Sequence, residues 1–180
     1  MDFNKRDNLS YGLVDQGIVK EMAVTRSGST IITAHSIDTG MQIIPGIAPA
    51  VAYAAGDALG TLLVIGVPKV GLIETVAVSD WDAETTSFHI LLFNGPITSG
   101  VDNGAFDLGD ADSRQYIGHI TVNNADFISL ADNSVAVVPN VSLMYHAPEG
   151  QLYIQLVTRG AQNYTTANDL AIRFVITEYH

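Results

Sequence analysis

Short segments with apolar residues at every second position dominate the chain from residue 22 onward. In Gly71–Asp80 one face would carry Leu72, Glu74, Val76 and Val78, and the other would carry Ile73, Thr75, Ala77 and Ser79. A period of two is that of a β-strand. Gly, Pro, Asn and Asp bound the further segments for which we predict strands, at residues 22–25, 30–33, 61–67, 86–93, 118–122, 125–130, 134–145, 151–157 and 170–179.

The segments between these strands are short and rich in turn-forming residues. A turn at Asp80–Glu84 predicts that the strands on either side form a hairpin with a longer loop. Asp110 is placed to cap a short helix over Ala111–Ile117, and residues 38–56 hold enough Gly and Pro to be irregular. We therefore predict an all-β fold, a β-sandwich or a jelly-roll-like domain, with one short helix.

The N-terminal residues differ from the rest of the chain. Residues 1–20 are polar and weakly patterned, which predicts an extended arm in front of a sandwich domain over residues 21–180. Residues 1–26 hold four of the eight Lys and Arg residues and four acids, so the net charge of −11 falls on residues 27–180. The arm is expected to order against a neighbouring subunit, and a frayed terminus is the alternative.

Composition excludes several functional classes. The chain has 180 residues, of which 47% are apolar and 15% charged, and it contains no cysteine. Without cysteine there is no disulfide framework, no Cys-ligated zinc and no thiol nucleophile. Eight basic residues against nineteen acids cannot neutralise nucleic-acid phosphates or anionic lipids over a broad face. No apolar stretch reaches the ~18 residues that a membrane-spanning helix needs, so we expect a soluble protein.

Few residues are candidates for chemistry, and no catalytic motif is present. Asp102, Asp107, Asp110 and Asp112 lie in one loop and could ligate calcium, but their spacing is not that of an EF-hand, and capping of turns is the alternative. His89, on a strand, is interpreted as a partly buried structural histidine. Gly56, Asp57 and Gly60 indicate a demanding turn. We assign no catalytic, cofactor-binding or metal-ligating residue.

Trp81 is the one tryptophan of the chain and lies between two aspartates in the turn after Asp80. An exposed indole there could stack on a sugar, which would make the protein a carbohydrate-binding β-sandwich. Packing of Trp81 against the end of a strand is the alternative.

Several short motifs follow each other in a fixed order between residues 50 and 176. They are Tyr53-Ala-Ala-Gly-Asp57-Ala-Leu-Gly60, Leu91-Leu-Phe93, Asp102-Asn-Gly-Ala-Phe106 with Asp110-Ala-Asp112, Ile117-Gly118, Leu152-Tyr153 with Leu156-Val-Thr-Arg159-Gly160, and Asp169-Leu170. In this order they resemble small virion structural proteins of tailed bacteriophages, of the capsid decoration or cement type. Residues 31–49 depart from that pattern as an insertion.

The resemblance implies a non-enzymatic virion protein that binds the outside of the capsid and stabilises it. Its partners would be the major capsid protein and sister copies, arranged as a trimer by analogy, with neither nucleic acid nor membrane bound and no cofactor. It would be made in the host cytoplasm and located on the capsid surface. Lys5, Arg6, Tyr11 and Lys20 of the arm, with the 38–50 segment, are the expected capsid or subunit contacts. A carbohydrate-binding adhesin or another head–tail component is the alternative.

Overall fold

The computed structural model describes residues 34–179, and these form an all-β structure with two antiparallel sheets. The predicted fold class is therefore confirmed. The strands are β1 (Ala34–Asp38), β2 (Gln42–Ile43), β3 (Ala58–Gly66), β4 (Val70–Asp80), β5 (Phe88–Phe93), β6 (Tyr116–Val122), β7 (Phe127–Leu130), β8 (Asn133–Val138), β9 (Leu143–His146), β10 (Gln151–Thr158) and β11 (Leu170–Tyr179). The arm over residues 1–20, the boundary at residue 21 and the strands predicted at 22–25 and 30–33 lie outside the described residues.

The two sheets differ in size, with seven strands in one and four in the other. The larger sheet has the order β1-β11-β4-β8-β7, with β2 also pairing with β11 and β9 with β4. The smaller sheet has the order β3-β10-β5-β6. Because the inward side chains of both sheets meet in one hydrophobic cluster, the architecture is a sandwich.

The core consists of side chains that alternate along the strands. Phe88, Ile90 and Leu92 of β5 point inward from the smaller sheet, and Ile172 and Phe174 of β11 point inward from the larger one; all five are fully buried. Burying one such side chain contributes about 1.5–3 kcal/mol, so this layer fixes the relation of the two sheets.

The predicted hairpin between residues 71–80 and 86–93 is wrong. β4 pairs with β11, β8 and β9 in the larger sheet, whereas β5 pairs with β10 and β6 in the smaller sheet. The residues between them cross from one sheet to the other. The reason is local: the buried Asp80 carboxylate accepts hydrogen bonds from the backbone N–H groups of Asp82 and Thr85, which turns the chain away from its own sheet.

The prediction that inward and outward side chains alternate strictly along β4 is also wrong, because the strand contains a β-bulge. The pairing with β11 changes register between Ile73 and Thr75, which leaves Glu74 as the additional residue. A bulge reverses which face the following residues occupy. Ile73 therefore shares the inner face with Val76 and Val78, all three buried, rather than lying opposite them.

Three smaller predictions are corrected. The helix expected over 111–117 is a 3-10 helix over Asp112–Gln115, and the Asp110 side chain does not cap it. Instead the Asp110 carbonyl accepts a hydrogen bond from the Ser113 hydroxyl, at 2.8 Å. The strand predicted over 134–145 is interrupted at Pro139, which cannot donate a ladder hydrogen bond, and forms the separate strands β8 and β9.

Candidate interaction surface

The outward face of the larger sheet, which we call the outer face, carries several large apolar side chains that are exposed. Residues paired across antiparallel strands point to the same side. One row of positions on this side therefore crosses five strands from β2 to β7, and it consists of Ile43, Ala171, Ser79, Val135 and Ile128. Ile43 and Ile128 at its two ends are exposed, whereas Ala171 is buried. A second row holds Arg173, Ala77 and Val137, and a third holds Ser36, Thr177, Leu72 and Met144.

Large apolar side chains on this face are open to solvent. Ile128 is 64% exposed, Met144 62% and Val137 53%. The exposed large apolar residues that the strand register puts on the outer face are Ile43, Val70, Ile128, Leu130, Val137 and Met144. Exposed apolar patches mark interaction sites on soluble proteins, so the outer face is the candidate interaction surface.

The outer face carries little charge of its own. Arg173 Nη1 lies 3.5 Å from Asp38 Oδ2, and the Thr177 hydroxyl donates to Glu74 Oε1 at 3.0 Å, so both acids have a partner within the face. The remaining acids of the described residues lie mostly in loops outside this face, and they carry the acidic balance of the domain. Low charge and exposed apolar area therefore coincide on the outer face.

The opposite surface of the sandwich is different, because a loop covers part of it. Gln155 of β10 belongs to the outward side of the smaller sheet, yet it is fully buried. Its amide accepts a hydrogen bond from the Gly100 N–H at 3.2 Å and donates to the Gly60 carbonyl at 3.2 Å. The 94–112 connection thus covers the part of that surface around Gln155 with the chain's own residues.

Asp102 is a structural residue that joins its own loop to the loop before β3 and to β3 itself. Its carboxylate accepts hydrogen bonds from the Ala48 N–H at 2.9 Å, the Gly60 N–H at 2.6 Å and the Tyr53 hydroxyl at 2.8 Å. Burial, together with the hydrogen bond to the Asp102 carboxylate, raises the pKa of the Tyr53 phenol well above its usual range. All of these donors belong to the protein, as expected of a turn-capping aspartate.

The other acids of the suggested calcium loop do not converge with Asp102. Asp112 accepts from the Thr98 N–H at 3.0 Å, and Asp107 and Asp110 are exposed. Within residues 34–179 no three His, Cys, Asp or Glu side chains are grouped as metal ligands would be. The turn predicted around residue 57 is present: Asp57 accepts from the Ala54 N–H, and Gly56 and Gly60 have positive φ.

Trp81 is 43% exposed at the tip of the crossing between the sheets. Hydrogen bonds to the loop before β11 fix the loop that carries Trp81. The Asp82 carboxylate accepts from the Thr165 N–H at 2.8 Å, and the Glu84 carboxylate accepts from the Asn163 N–H at 3.0 Å. Thr85 lies at φ 50°, a conformation that costs a β-branched residue energy and needs surrounding support. The indole is thus presented on a fixed, acidic loop.

His89 is half-buried and structural, as predicted. Its Nδ1 lies 3.0 Å from the Thr121 hydroxyl, and its ring meets that of His119 edge-on at 5.2 Å. Burial, with smaller contributions from Arg159 and His119, lowers the pKa of the His89 imidazole.

The contact residues predicted from the sequence divide into some that the structure describes and some that it does not. Lys5, Arg6, Tyr11 and Lys20 lie outside the described residues. Of the 38–50 segment, Ile44 and Ile47 are buried in the core and are unavailable to a partner, whereas Met41 and Ile43 are exposed at the margin of the outer face.

Sequence reasoning missed the outer face, although one signal for it was present. β8 carries Val135, Ala136, Val137 and Val138 in succession, so it is apolar on both sides. A strand that is apolar at every position is typical of a sheet buried on both faces. Among the described residues, the inward side of β8 is buried, whereas Val137 on its outward side is 53% exposed.

The part of the chain that the structure describes contains no helix long and apolar enough to cross a membrane. No protein-family model matches the sequence, and no curated protein is significantly similar to it. The resemblance to virion proteins therefore rests on the short ordered motifs alone.

Proposed function

We propose that this protein is a non-catalytic assembly protein of a tailed-bacteriophage virion, which docks on the outside of the capsid through the outer face of its larger sheet. The observation that carries the proposal is the exposure of large apolar side chains on one nearly uncharged sheet face. Burial of apolar area is the main driving force of protein association, and it needs neither cofactor nor catalytic group.

The shape and charge of the molecule support this assignment. A broad sheet face suits a smooth protein shell better than it suits a small ligand, which binds in a concave site. Because most of the acids behind the net charge of −11 lie in loops outside the face, these loops remain in solvent when the face is covered. The ordered motifs resemble those of phage virion proteins, and this resemblance is the reason for proposing a phage capsid as the shell.

Two glutamate substitutions on the outer face test the docking surface. Val137→Glu and Ile128→Glu replace exposed side chains, so the fold should persist while the face becomes charged. The phage that encodes the protein is grown with its own gene deleted, and either the full-length wild type or the full-length double variant is supplied. Purified virions should then contain about tenfold less of the double variant than of the wild type. Quantitative mass spectrometry of purified particles gives the ratio of the chain to the major capsid protein.

Val101→Glu is the matched control, because Val101 is 79% exposed but lies in the loop over the smaller sheet. This variant should be retained as wild type is. Absence of the wild-type chain from particles would contradict the virion role. Equal retention of the double variant and the control would leave that role intact and show that another surface docks.

Sugar binding at Trp81 is a second candidate, favoured by the exposure of the indole on a held loop. Aromatic faces bind apolar sugar faces, and the neighbouring Asp82 and Glu84 carboxylates could accept hydrogen bonds from hydroxyls. A glycan array probed with the full-length protein should then give signals that Trp81→Ala abolishes and Tyr116→Ala does not. No signal from the wild type, or equal signals from both variants, would exclude this function.

A further inference from the structure

Two histidines lie side by side on the outward face of the smaller sheet. His89 of β5 pairs across the sheet with Thr121 of β6. His119 of β6 pairs with Leu91, which is the next outward position of β5. The two imidazole rings meet edge-on, with their centroids 5.2 Å apart. His119 is exposed and His89 is half-buried, so the pair is open to solvent.

A hydroxyl group fixes each of the two rings at Nδ1. The Thr121 hydroxyl lies 3.0 Å from His89 Nδ1, and the Tyr116 hydroxyl lies 2.8 Å from His119 Nδ1. A hydroxyl that donates to Nδ1 sets the tautomer that carries its proton on Nε2. Neither Nε2 atom has a hydrogen-bond partner among residues 34–179. Each ring therefore keeps one N–H donor for a ligand.

Arg159 adds a permanent positive charge next to the two histidines. Its backbone N–H donates to the Ser87 carbonyl at 2.9 Å, which continues the pairing of β10 with β5 and places Arg159 diagonally across from His89 on the same side. Arg159 is exposed, and no carboxylate of the described residues forms an ion pair with it. Burial first, and then Arg159 and His119, lower the pKa of the His89 imidazole, so the three groups lie close enough to repel one another when charged.

The strand positions around this group carry no acid on the outward side. Those of β5, β6 and β10 are Leu91, Tyr116, Thr121, Tyr153, Gln155 and Val157. In a chain with a net charge of −11, a guanidinium and two imidazoles without a carboxylate reverse the local charge. A metal cation is disfavoured here because Arg159 repels it, whereas an anion meets N–H donors from three side chains.

We propose that His89, His119 and Arg159 bind one tetrahedral oxyanion, a sulfate or a phosphate group, on the outward face of the smaller sheet. The guanidinium supplies a planar fork of N–H donors that suits such oxygens, and the two Nε2–H groups supply further donors. Binding becomes tighter as pH falls, because the imidazoles then become charged. β10 adds only Val157 and Arg159 beside His89, and the Tyr116 phenol of β6 stays neutral because burial raises its pKa.

Titration of the full-length protein with sodium sulfate tests the site, because sulfate keeps its charge while the imidazoles titrate. The imidazole NMR signals of His89 and His119 should move together. At constant ionic strength the dissociation constant should fall about tenfold between about pH 8 and about pH 5.5. Glucose 6-phosphate in place of sulfate distinguishes the source of the anion. Binding of the ester shows a site open to a substituted phosphate, and binding of sulfate alone shows a site for the free ion.

Three variants separate this site from general attraction of anions. Arg159→Gln should weaken sulfate binding about tenfold at about pH 5.5. His89→Gln combined with His119→Gln should remove the dependence on pH. Lys69→Gln is the matched control, because it removes one positive charge from the exposed turn between β3 and β4, and it should bind as the wild type does.

Three results would overturn the proposal. One is that the two imidazole signals do not respond to sulfate. Another is that Arg159→Gln and Lys69→Gln weaken binding equally, or that the double histidine variant keeps the dependence on pH. The third is that Zn²⁺ moves the imidazole signals and sulfate does not, which would make the pair a metal site. Arg159→Gln keeps the test decisive if the double histidine variant fails to fold, and none of these results depends on whether the outer face binds a capsid.

Discussion

At the scale of single residues, the Asp102 carboxylate holds together the loop before β3, β3 itself and the 94–112 connection. Asp102→Ala leaves the Ala48 N–H, the Gly60 N–H and the Tyr53 hydroxyl without their acceptor. Hydrogen bonds to charged groups contribute about 1.5–3 kcal/mol each and are not additive, so the free energy of unfolding should fall by about 2–4 kcal/mol. Urea unfolding followed by fluorescence measures this loss.

Asp107→Ala is the matched control in the same loop, because its exposed side chain caps no turn. Its effect should stay within about 0.5 kcal/mol, as for other surface substitutions. Similar stabilities of the two variants would show that the Asp102 hydrogen bonds are replaced by water at little cost.

Asp80 should make the stability of the fold depend on pH. Burial raises the pKa of its carboxyl despite the hydrogen bonds from Asp82, Thr85 and Ser134. The folded state therefore binds the proton more tightly than the unfolded chain, where an aspartate titrates near pH ~3.9. The stabilisation that this tighter proton binding provides is complete below the pH at which the unfolded aspartate titrates. It is lost as pH rises through the pKa that Asp80 has in the folded protein.

Replacing Asp80 by Asn removes the titration while it keeps an oxygen acceptor. In urea unfolding series from about pH 4 to about pH 8, the wild type should lose more stability with rising pH than Asp80→Asn does. Identical slopes would mean that the buried carboxyl is charged in both states over the whole range.

At the scale of elements, β3 and the segment after β2 approach each other at Gly60. Gly60 has φ 70°, and a Cβ there would come 2.5 Å from the Pro45 carbonyl oxygen and 2.7 Å from Ile44 Cγ2. Gly60→Ala should cost about 2 kcal/mol or more of stability, from conformational strain and from the displaced segment. Gly56→Ala shares the positive φ but has open space around it, so it should cost only the strain. If Gly60→Ala and Gly56→Ala lose the same stability in thermal unfolding, the steric contribution at Gly60 is contradicted.

Strands were predictable from the sequence because their signal is local, whereas their partners were not. The alternating pattern at residues 71–80 and 86–93 predicted both strands. It did not predict that the hydrogen bonds to Asp80 turn the chain, so that the second strand lies in the other sheet. The bulge at Glu74 was invisible for the same reason, because a register shift is defined against β11, about a hundred residues later in the sequence.

At the scale of the whole molecule, the outer face could have been inferred only by combining distant segments. The successive apolar residues Val135–Val138 signal burial on two sides. The row that Val135 joins, however, takes Ile43 from β2 and Ala171 from the last strand. The distribution of charge also depends on the fold, since most of the acids that are scattered through the sequence lie in loops outside this face, and Asp38 and Glu74 on it have partners within it. Function at a surface of this kind is a property of register rather than of any motif.

Salt dependence separates docking by the outer face from docking by the acidic loops. The charges of Asp38 and Arg173 are already paired within the face, so covering it changes few free charges. The affinity of the full-length chain for capsids that lack it should therefore change by less than about threefold between about 0.05 M and about 0.5 M NaCl, because exposed charges are screened over this range while apolar burial is not. Co-sedimentation with purified capsids measures it. A loss of about tenfold would indicate instead that the charge of −11 meets a basic capsid surface, and the acidic loops would then be the docking site.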